Sequence, residues 1–188
     1  MIKHRKSYIV LAAICLCLIA FICVYFGISK SAFDNDNANT RNMIQQAIET
    51  DELTDRGFIK STISTDLIVY EWHADDLVRS YYSYDSQIFG AYQKSIDDLT
   101  IEITKCYDRG QYILILNDES NTVRYSTVLD YSLSPISDSS FLDNCVPTET
   151  VNNEDSYNSI LGCISAEDIE NTVNEYEQFT KQLFNDIG

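Results

Sequence analysis

The one histidine outside the basic N-terminal tail lies among carboxylates. His73 stands in the stretch Glu71-Trp72-His73-Ala74-Asp75-Asp76. An imidazole beside carboxylates can bind a metal ion, or act as a base whose orientation an acid fixes. The chain has no spacing such as His-Glu-x-x-His, which places metal ligands on one face of a helix. An isolated histidine with scattered acids is also common on an acidic surface. We therefore expect neither a metal site nor a catalytic site here.

Other signatures of catalysis are missing from the chain. A Gly-x-Ser-x-Gly nucleophile motif is absent, and the six glycines are scattered singly, so no glycine-rich phosphate loop can form. The paired carboxylates of a glycosidase cannot be located among 29 acidic residues. We predict a protein that is not an enzyme and that holds no cofactor and no metal.

Aromatic residues offer a second kind of chemistry, which is contact with another protein. The chain has 13 tyrosines. Tyrosine provides a large contact area at low entropic cost and is enriched at interfaces, although it is also ordinary in the core of a β-sheet. The residues that we predict for partner binding lie close together in the sequence, and they are Trp72, His73, Tyr81, Tyr82 and Tyr84.

An uncharged run near the N-terminus predicts on which side of the cell membrane these residues lie. Residues 7–28 form a run of 22 uncharged residues directly behind Lys3, Arg5 and Lys6. A helix of this length is ~33 Å long, enough to cross a bilayer core. The positive-inside rule places residues 1–6 in the cytoplasm and the rest of the chain outside. A cleaved signal peptide is the alternative, but its apolar region usually has only about 7–15 residues. We predict a retained single-pass anchor in the cell membrane of a bacterium.

The charge of the remaining chain narrows the class of partner. Residues 29–188 carry ten Lys and Arg residues against all 29 Asp and Glu residues, a net charge of −19. Nucleic acid needs a basic surface, so it is excluded as a partner. Self-repulsion that keeps the domain soluble explains the charge most simply, and a basic protein partner or divalent cations would also fit it.

The cysteines outside the predicted anchor allow one disulfide. They are Cys106, Cys145 and Cys163, and a disulfide is permitted outside the cytoplasm. Three pairings exist, and we favour Cys145–Cys163 because both residues flank the same loop-like region. Cys106 falls in a predicted strand, where a buried small hydrophobic role is more common.

The first half of the extracytoplasmic part is predicted to be mainly helical. Residues 29–40 are polar and indicate a juxtamembrane linker before a domain of residues 41–188. Apolar spacing predicts a helix over residues 39–53, and β-branched residues predict an extended segment over residues 58–72. Residues 75–99 have apolar side chains spaced by three or four, which favours a helix, whereas the tyrosine cluster and Gly90 are compatible with a strand. We predict the helix.

The second half predicts an antiparallel sheet closed by a helix. Three strand-like runs, residues 101–107, 111–117 and 122–133, are separated by short turn-forming connections. Residues 134–165 are rich in Ser, Asp and Asn and indicate a binding loop, or an ordered excursion held by the disulfide. Ser165 is a good N-cap for an amphipathic C-terminal helix. The predicted fold is therefore α+β, an N-terminal transmembrane helix followed by one domain with an antiparallel β-meander packed by helices.

The layout of a short basic tail, one span and one compact domain suggests three functions. It is similar to that of the membrane-anchored immunity proteins that accompany type VII secretion toxins, which implies a domain that binds and neutralises a secreted toxin. It is also similar to VirB8-like conjugation components, which implies a structural subunit of an envelope secretion or conjugation machine. An extracytoplasmic enzyme or ligand sensor built on His73 is the third hypothesis. We favour the first, a non-enzymatic protein-binding domain.

Overall fold

The computed structural model describes residue 27 and residues 30–75, 77–118, 120, 122–136 and 153–185. The predicted anchor, residues 7–28, lies outside these residues except for Gly27. Within the described ranges, no helix combines the length and the hydrophobicity that a membrane span requires. Residues Asn37–Gly188 form one compact unit, and it contains all the strands described below.

Seven strands form one antiparallel meander in which each strand pairs with the next. They are β1 (Ile59–Ser64), β2 (Leu67–Ala74), β3 (Leu77–Tyr84), β4 (Gln87–Ile96), β5 (Leu99–Cys106), β6 (Gln111–Asn117) and β7 (Val123–Leu129). The three strands predicted in the second half correspond to β5, β6 and β7. The predicted α+β class and the antiparallel meander are confirmed.

The helix predicted over residues 75–99 is wrong, because this segment forms the β3–β4 hairpin. Asp85 and Ser86 both adopt positive φ, 48° and 63°, as the tight two-residue turns that match the twist of a hairpin require. The turn reverses the chain, so the side chains spaced by three or four fall on two strands rather than on one helical face. Pairing of β3 with β2 and of β4 with β5 outweighs the local periodicity. A turn at Thr65-Asp66 likewise divides the predicted segment of residues 58–72 into β1 and β2.

Four helices accompany the sheet between residue 30 and residue 185, in the ranges that the structure describes. They are α1 (30–49), α2 (Glu52–Asp55), α3 (Asn153–Leu161) and α4 (Ala166–Asn185). The linker predicted at residues 29–40 is thus helical from residue 30, and the loop predicted at residues 134–165 includes α3. The predicted cap of α4 is confirmed: Ser165 Oγ accepts from the Asp168 backbone N at 3.1 Å, and an Asp168 carboxylate oxygen accepts from the Ser165 backbone N at 3.0 Å. This reciprocal pair satisfies two donors at the start of the helix.

The described helices pack on one face of the sheet. Ile44 of α1, Leu53 of α2 and Tyr176 of α4 share a buried cluster with Tyr70 and Tyr81. A second cluster joins residues of α3 and α4 to alternate residues of β5, β6 and β7. A third cluster consists of Ile136 and strand residues whose side chains point to the opposite face of the sheet. None of its members lies in a described helix. The sheet therefore has a helix-covered face and a second face on which no described helix packs, called the open face below, although the core members of the third cluster are buried there.

A buried polar network joins α4 to the covered face. Lys105 Nζ lies 2.6 Å from Glu177 Oε1, and the Tyr112 hydroxyl donates to the same oxygen at 2.8 Å. Lys105 is only 2% exposed. Tyr176 directly precedes Glu177 in α4, and its hydroxyl forms a hydrogen bond with the Tyr107 hydroxyl. Burial raises the pKa of both tyrosines far above the ordinary value, so these hydroxyls stay neutral and act as fixed hydrogen-bonding groups.

Candidate functional site

A groove on the open face is the best candidate for a functional site. Strand pairing joins Glu71 to Ser80, Ser80 to Ala91, and Ala91 to Thr104. Because paired residues point to the same face, the small side chains of Ser80 and Ala91 lie next to each other. A shallow floor of small residues between larger neighbours produces a depression in the sheet surface.

The groove has the size and composition of a binding site. Its volume is about 410 Å³, within the range of ~300–1,000 Å³ that is usual for ligand pockets. The lining combines aliphatic, aromatic and acidic side chains, namely Leu67, Val69, Glu71, Ser80, Tyr82, Tyr84, Ala91 and Glu102. An apolar wall with a few charged groups is an arrangement that can orient one polar ligand group.

Glu102 is the most unusual group in this groove. Burial raises the pKa of its carboxyl group, and a hydrogen bond from the Thr104 hydroxyl at 3.2 Å opposes this effect. In the described part of the chain no Lys, Arg or His forms an ion pair with Glu102. The groove therefore holds a partly desolvated carboxylate whose charge no described residue compensates, which is an unfavourable environment for the ionised form.

The replacement Glu102→Gln is expected to stabilise the free protein. A folded-state pKa above the unfolded value gives stability that is present at low pH and is lost as the pH rises through the folded-state pKa. The variant does not have this loss, so we expect its Tm to exceed that of the wild type by about 1–3 °C at pH 7 and by nearly nothing at pH 4. Thermal melting followed by circular dichroism at the two pH values measures this difference. A lower Tm for the variant at pH 7 would show that the carboxylate stabilises the fold.

The described part of the histidine cluster lies beside the groove. His73 Nε2 lies 3.6 Å from Glu71 Oε2, and both side chains are about half exposed. Asp75 is exposed in the β2–β3 turn, with φ of 48°, and Asp76 lies outside the described residues. Among the residues that the structure places, no three His, Cys, Asp or Glu side chains are arranged to hold a metal ion.

Strand alternation divides the predicted partner-binding residues between the two faces. Tyr81 is completely buried on the covered face, where its hydroxyl lies 2.7 Å from that of Thr180. Trp72 also lies on this face, with the Arg79 guanidinium 4.8 Å from its ring centre. Neighbouring residues of a strand point to opposite faces, so Tyr82 and His73 lie on the open face.

Tyr84 shares the parity of Tyr82 and also lines the groove. The Tyr82 ring stacks on Phe89, with ring centres 5.0 Å apart and an angle of 10° between the planes. Of the five predicted residues, Tyr82, Tyr84 and His73 thus share one surface, whereas Trp72 and Tyr81 belong to the packing of α4. Clustering in the sequence did not reveal this division, because it depends on the strand assignment of residues 75–99.

Two exposed isoleucines of β1 were not predicted as site residues. Ile59 and Ile63 are 66% and 67% exposed, and Ile59 pairs with Glu71, which places it on the open face. The sequence did give one indication of a shared face, because alternate residues of a strand point the same way. Four apolar residues of the predicted extended segment are odd-numbered, namely Ile59, Ile63, Leu67 and Val69. That signal identifies a shared face but cannot show whether the face is covered.

A larger cavity of about 640 Å³ lies at the β1–β2 and β3–β4 turns and near the end of α1. Its charged side chains have mixed signs, since Lys60 lies there with Glu49, Asp66 and Asp85. Lys60 already pairs with Asp51 at 3.2 Å. This cavity offers less distinct chemistry than the groove, so we prefer the groove as the candidate site.

The structure describes two of the three cysteines outside the predicted anchor. Cys106 is buried as predicted for a strand residue, and burial raises the pKa of its thiol to about 11. Cys163 is exposed after α3. Cys145 lies outside the described residues, so the Cys145–Cys163 disulfide stays a prediction.

Comparison with known proteins identifies no relative. No protein family model, curated protein or solved structure matches this chain.

Proposed function

We propose that this protein is a membrane-anchored, extracytoplasmic domain without enzymatic activity that binds a basic protein, and that it acts as an immunity protein against a secreted toxin. The uncharged run of residues 7–28 supports the anchor, and the net charge of −19 over residues 29–188 supports a basic partner. The observation that carries the proposal is the apolar exposure of β1 next to the open face.

The two edges of the sheet differ in a way that supports binding at β1. At the β7 edge, Pro135 forms a bridge to Leu129, and Ile136 N donates to Val128 O. At the β1 edge, five of the six strand residues are exposed. An exposed edge strand with apolar side chains is a site for pairing with another chain. The exposed apolar residues of β1 therefore suggest that another protein binds at this edge.

Affinity capture with matched variants tests this function. The full-length chain in detergent is immobilised and exposed to envelope and secreted proteins of the source organism, and the bound proteins are identified by mass spectrometry. We expect one stoichiometric secreted protein with a basic binding surface. Ile59→Asp is expected to weaken its binding at least ~10-fold, because it places a charge in the apolar contact.

Thr62→Asp is the control for this experiment. Thr62 lies on the same strand and is exposed, but it pairs with Ile68, whose side chain packs toward the covered face. Equal capture by the wild type and Ile59→Asp would reject the β1 surface. Capture of several membrane-machine subunits, or self-assembly lost in Ile59→Asp, would replace the immunity function by that of a structural subunit of an envelope secretion or conjugation machine.

A further inference from the structure

We propose that the groove on the open face receives an arginine side chain of the protein partner, with the guanidinium between Glu71 and Glu102. This inference rests on the proposed function and names the contact that would determine partner choice. The other residues of the site are Leu67, Val69, Tyr82 and Ala91, which line the same groove.

Charge is the first argument for a cationic ligand group. Glu71 and Glu102 line one groove, and the one basic side chain that the described residues place within 4 Å of either carboxylate is the His73 imidazole, with Nε2 3.6 Å from Glu71 Oε2. Glu102 lies partly out of water with the Thr104 hydroxyl as its hydrogen-bond partner. A guanidinium that enters the groove would supply the missing countercharge, and an ion pair formed in a desolvated site contributes strongly to specificity.

Shape is the second argument. The floor formed by Ser80 and Ala91 leaves room for a long side chain, and Leu67 and Val69 provide an aliphatic wall for its methylene groups. Stacking on Phe89 holds the Tyr82 ring beside this space. Arginine fits better than lysine, because its planar fork binds carboxylates through two hydrogen bonds and packs on aromatic rings.

Two other occupants fit the groove less well. A metal ion would need a closer set of ligands than the described residues offer. An anionic group would face two carboxylates in a domain that is already strongly acidic. The position next to Ile59, which pairs with Glu71, places the groove beside the exposed apolar strand. One protein partner can therefore contact Ile59 and insert a basic side chain at the same time.

Methyl NMR of the full-length chain in detergent tests the groove without knowledge of the partner. The probe is N-acetyl-arginine amide, and N-acetyl-citrulline amide is its neutral counterpart of the same shape. We expect the arginine probe to shift the Ala91 and Val69 methyl signals, with Kd on the order of 1–10 mM. The citrulline probe should cause no comparable shift. The methyl signals of Val173, which is buried on the side of α4 that packs on the sheet, should not move with either probe.

Two groove variants and one control make the result specific. Glu102→Gln removes the charge and Ala91→Leu fills the floor, and each should weaken arginine binding at least ~10-fold. Glu170→Gln removes an equal charge from the exposed side of α4 and should have no effect. Equal shifts from the citrulline probe, or full arginine binding by Glu102→Gln, would overturn the proposal.

The captured partner separates this inference from the proposed function. If the partner binds through β1 but Glu102→Gln does not weaken its binding, the arginine site is rejected and the binding function stands. If the arginine probe binds in the groove but no protein is captured, the binding function is rejected and the groove is only a cation site. Weaker capture by both Ile59→Asp and Glu102→Gln, with full capture by Thr62→Asp and Glu170→Gln, is the result that we expect.

Discussion

Replacing Lys105 by methionine is expected to lower the free energy of unfolding by about 3 kcal/mol, because it leaves the Glu177 carboxylate without its cation. The ammonium group lies 2.6 Å from Glu177 Oε1, and the lysine and glutamate side chains are 3% and 22% exposed. Methionine fills a similar volume, so the loss reports mainly on the charge. The partial exposure of Glu177 places the expected loss at the lower end of the usual range for a buried pair.

Denaturant unfolding followed by circular dichroism measures this loss, and Lys94→Met provides the control. Lys94 of β4 pairs at 2.9 Å with Glu175, which lies in α4 like Glu177, but the Lys94 and Glu175 side chains are 32% and 45% exposed. A surface pair contributes only about 0–1 kcal/mol. The double variant Lys105→Met/Glu177→Gln should recover part of the stability, because no charge is then left uncompensated. If Lys105→Met costs no more than Lys94→Met, the buried pair does not hold α4 on the sheet.

The sequence predicted those parts of the fold that have local signals. Alternation along residues 122–133 and the turn at Asp108-Arg109-Gly110 were enough to identify a meander, and Gly110 indeed adopts a positive φ of 62°. The start of α4 was predictable because its cap lies within four consecutive residues, from Ser165 to Asp168. These features need no knowledge of the rest of the chain.

Features that depend on distant residues were not predictable in the same way. Lys105 shares the parity of Ile101 and Ile103, which suggests a lysine on a buried face, but its partner Glu177 lies 72 residues away. The hairpin of residues 77–96 is fixed by its neighbours β2 and β5, whereas its local apolar spacing resembles that of a helix. Tertiary pairing decides such segments.

The candidate site was predictable only in part for the same reason. His73, Tyr82 and Tyr84 were identified by residue type, and alternation places them on one face. Glu102 and Ala91 carry no signal in the sequence, since they become neighbours of Glu71 and Tyr82 only through the registers of three strand pairs. That no described helix packs on this face depends on where the helices lie, which residue spacing does not encode.

Gly90→Ala is expected to destabilise the protein by about 2 kcal/mol through overpacking of the interface between α4 and the sheet. A Cβ atom at residue 90 would lie 2.1 Å from the Tyr176 hydroxyl oxygen and 3.1 Å from the Tyr81 ring. Tyr176 is 1% exposed and its hydroxyl is hydrogen-bonded to that of Tyr107. The Tyr176 ring therefore cannot move away from residue 90 without breaking this hydrogen bond. Gly90 therefore lets a tyrosine of the helix approach the backbone of β4.

A double-mutant cycle with Tyr176→Phe isolates this clash. In the Phe background the oxygen atom is missing, and the close contact that remains, with the Tyr81 ring, needs an adjustment of only a few tenths of an ångström. Alanine also restricts the unfolded chain more than glycine does, which favours folding by about 0.4–1 kcal/mol. We therefore expect Gly90→Ala to cost less than ~1 kcal/mol in the Phe background, with a coupling energy above ~1 kcal/mol. Equal costs in the two backgrounds would mean that the effect arises from the strand backbone rather than from the tyrosine hydroxyl.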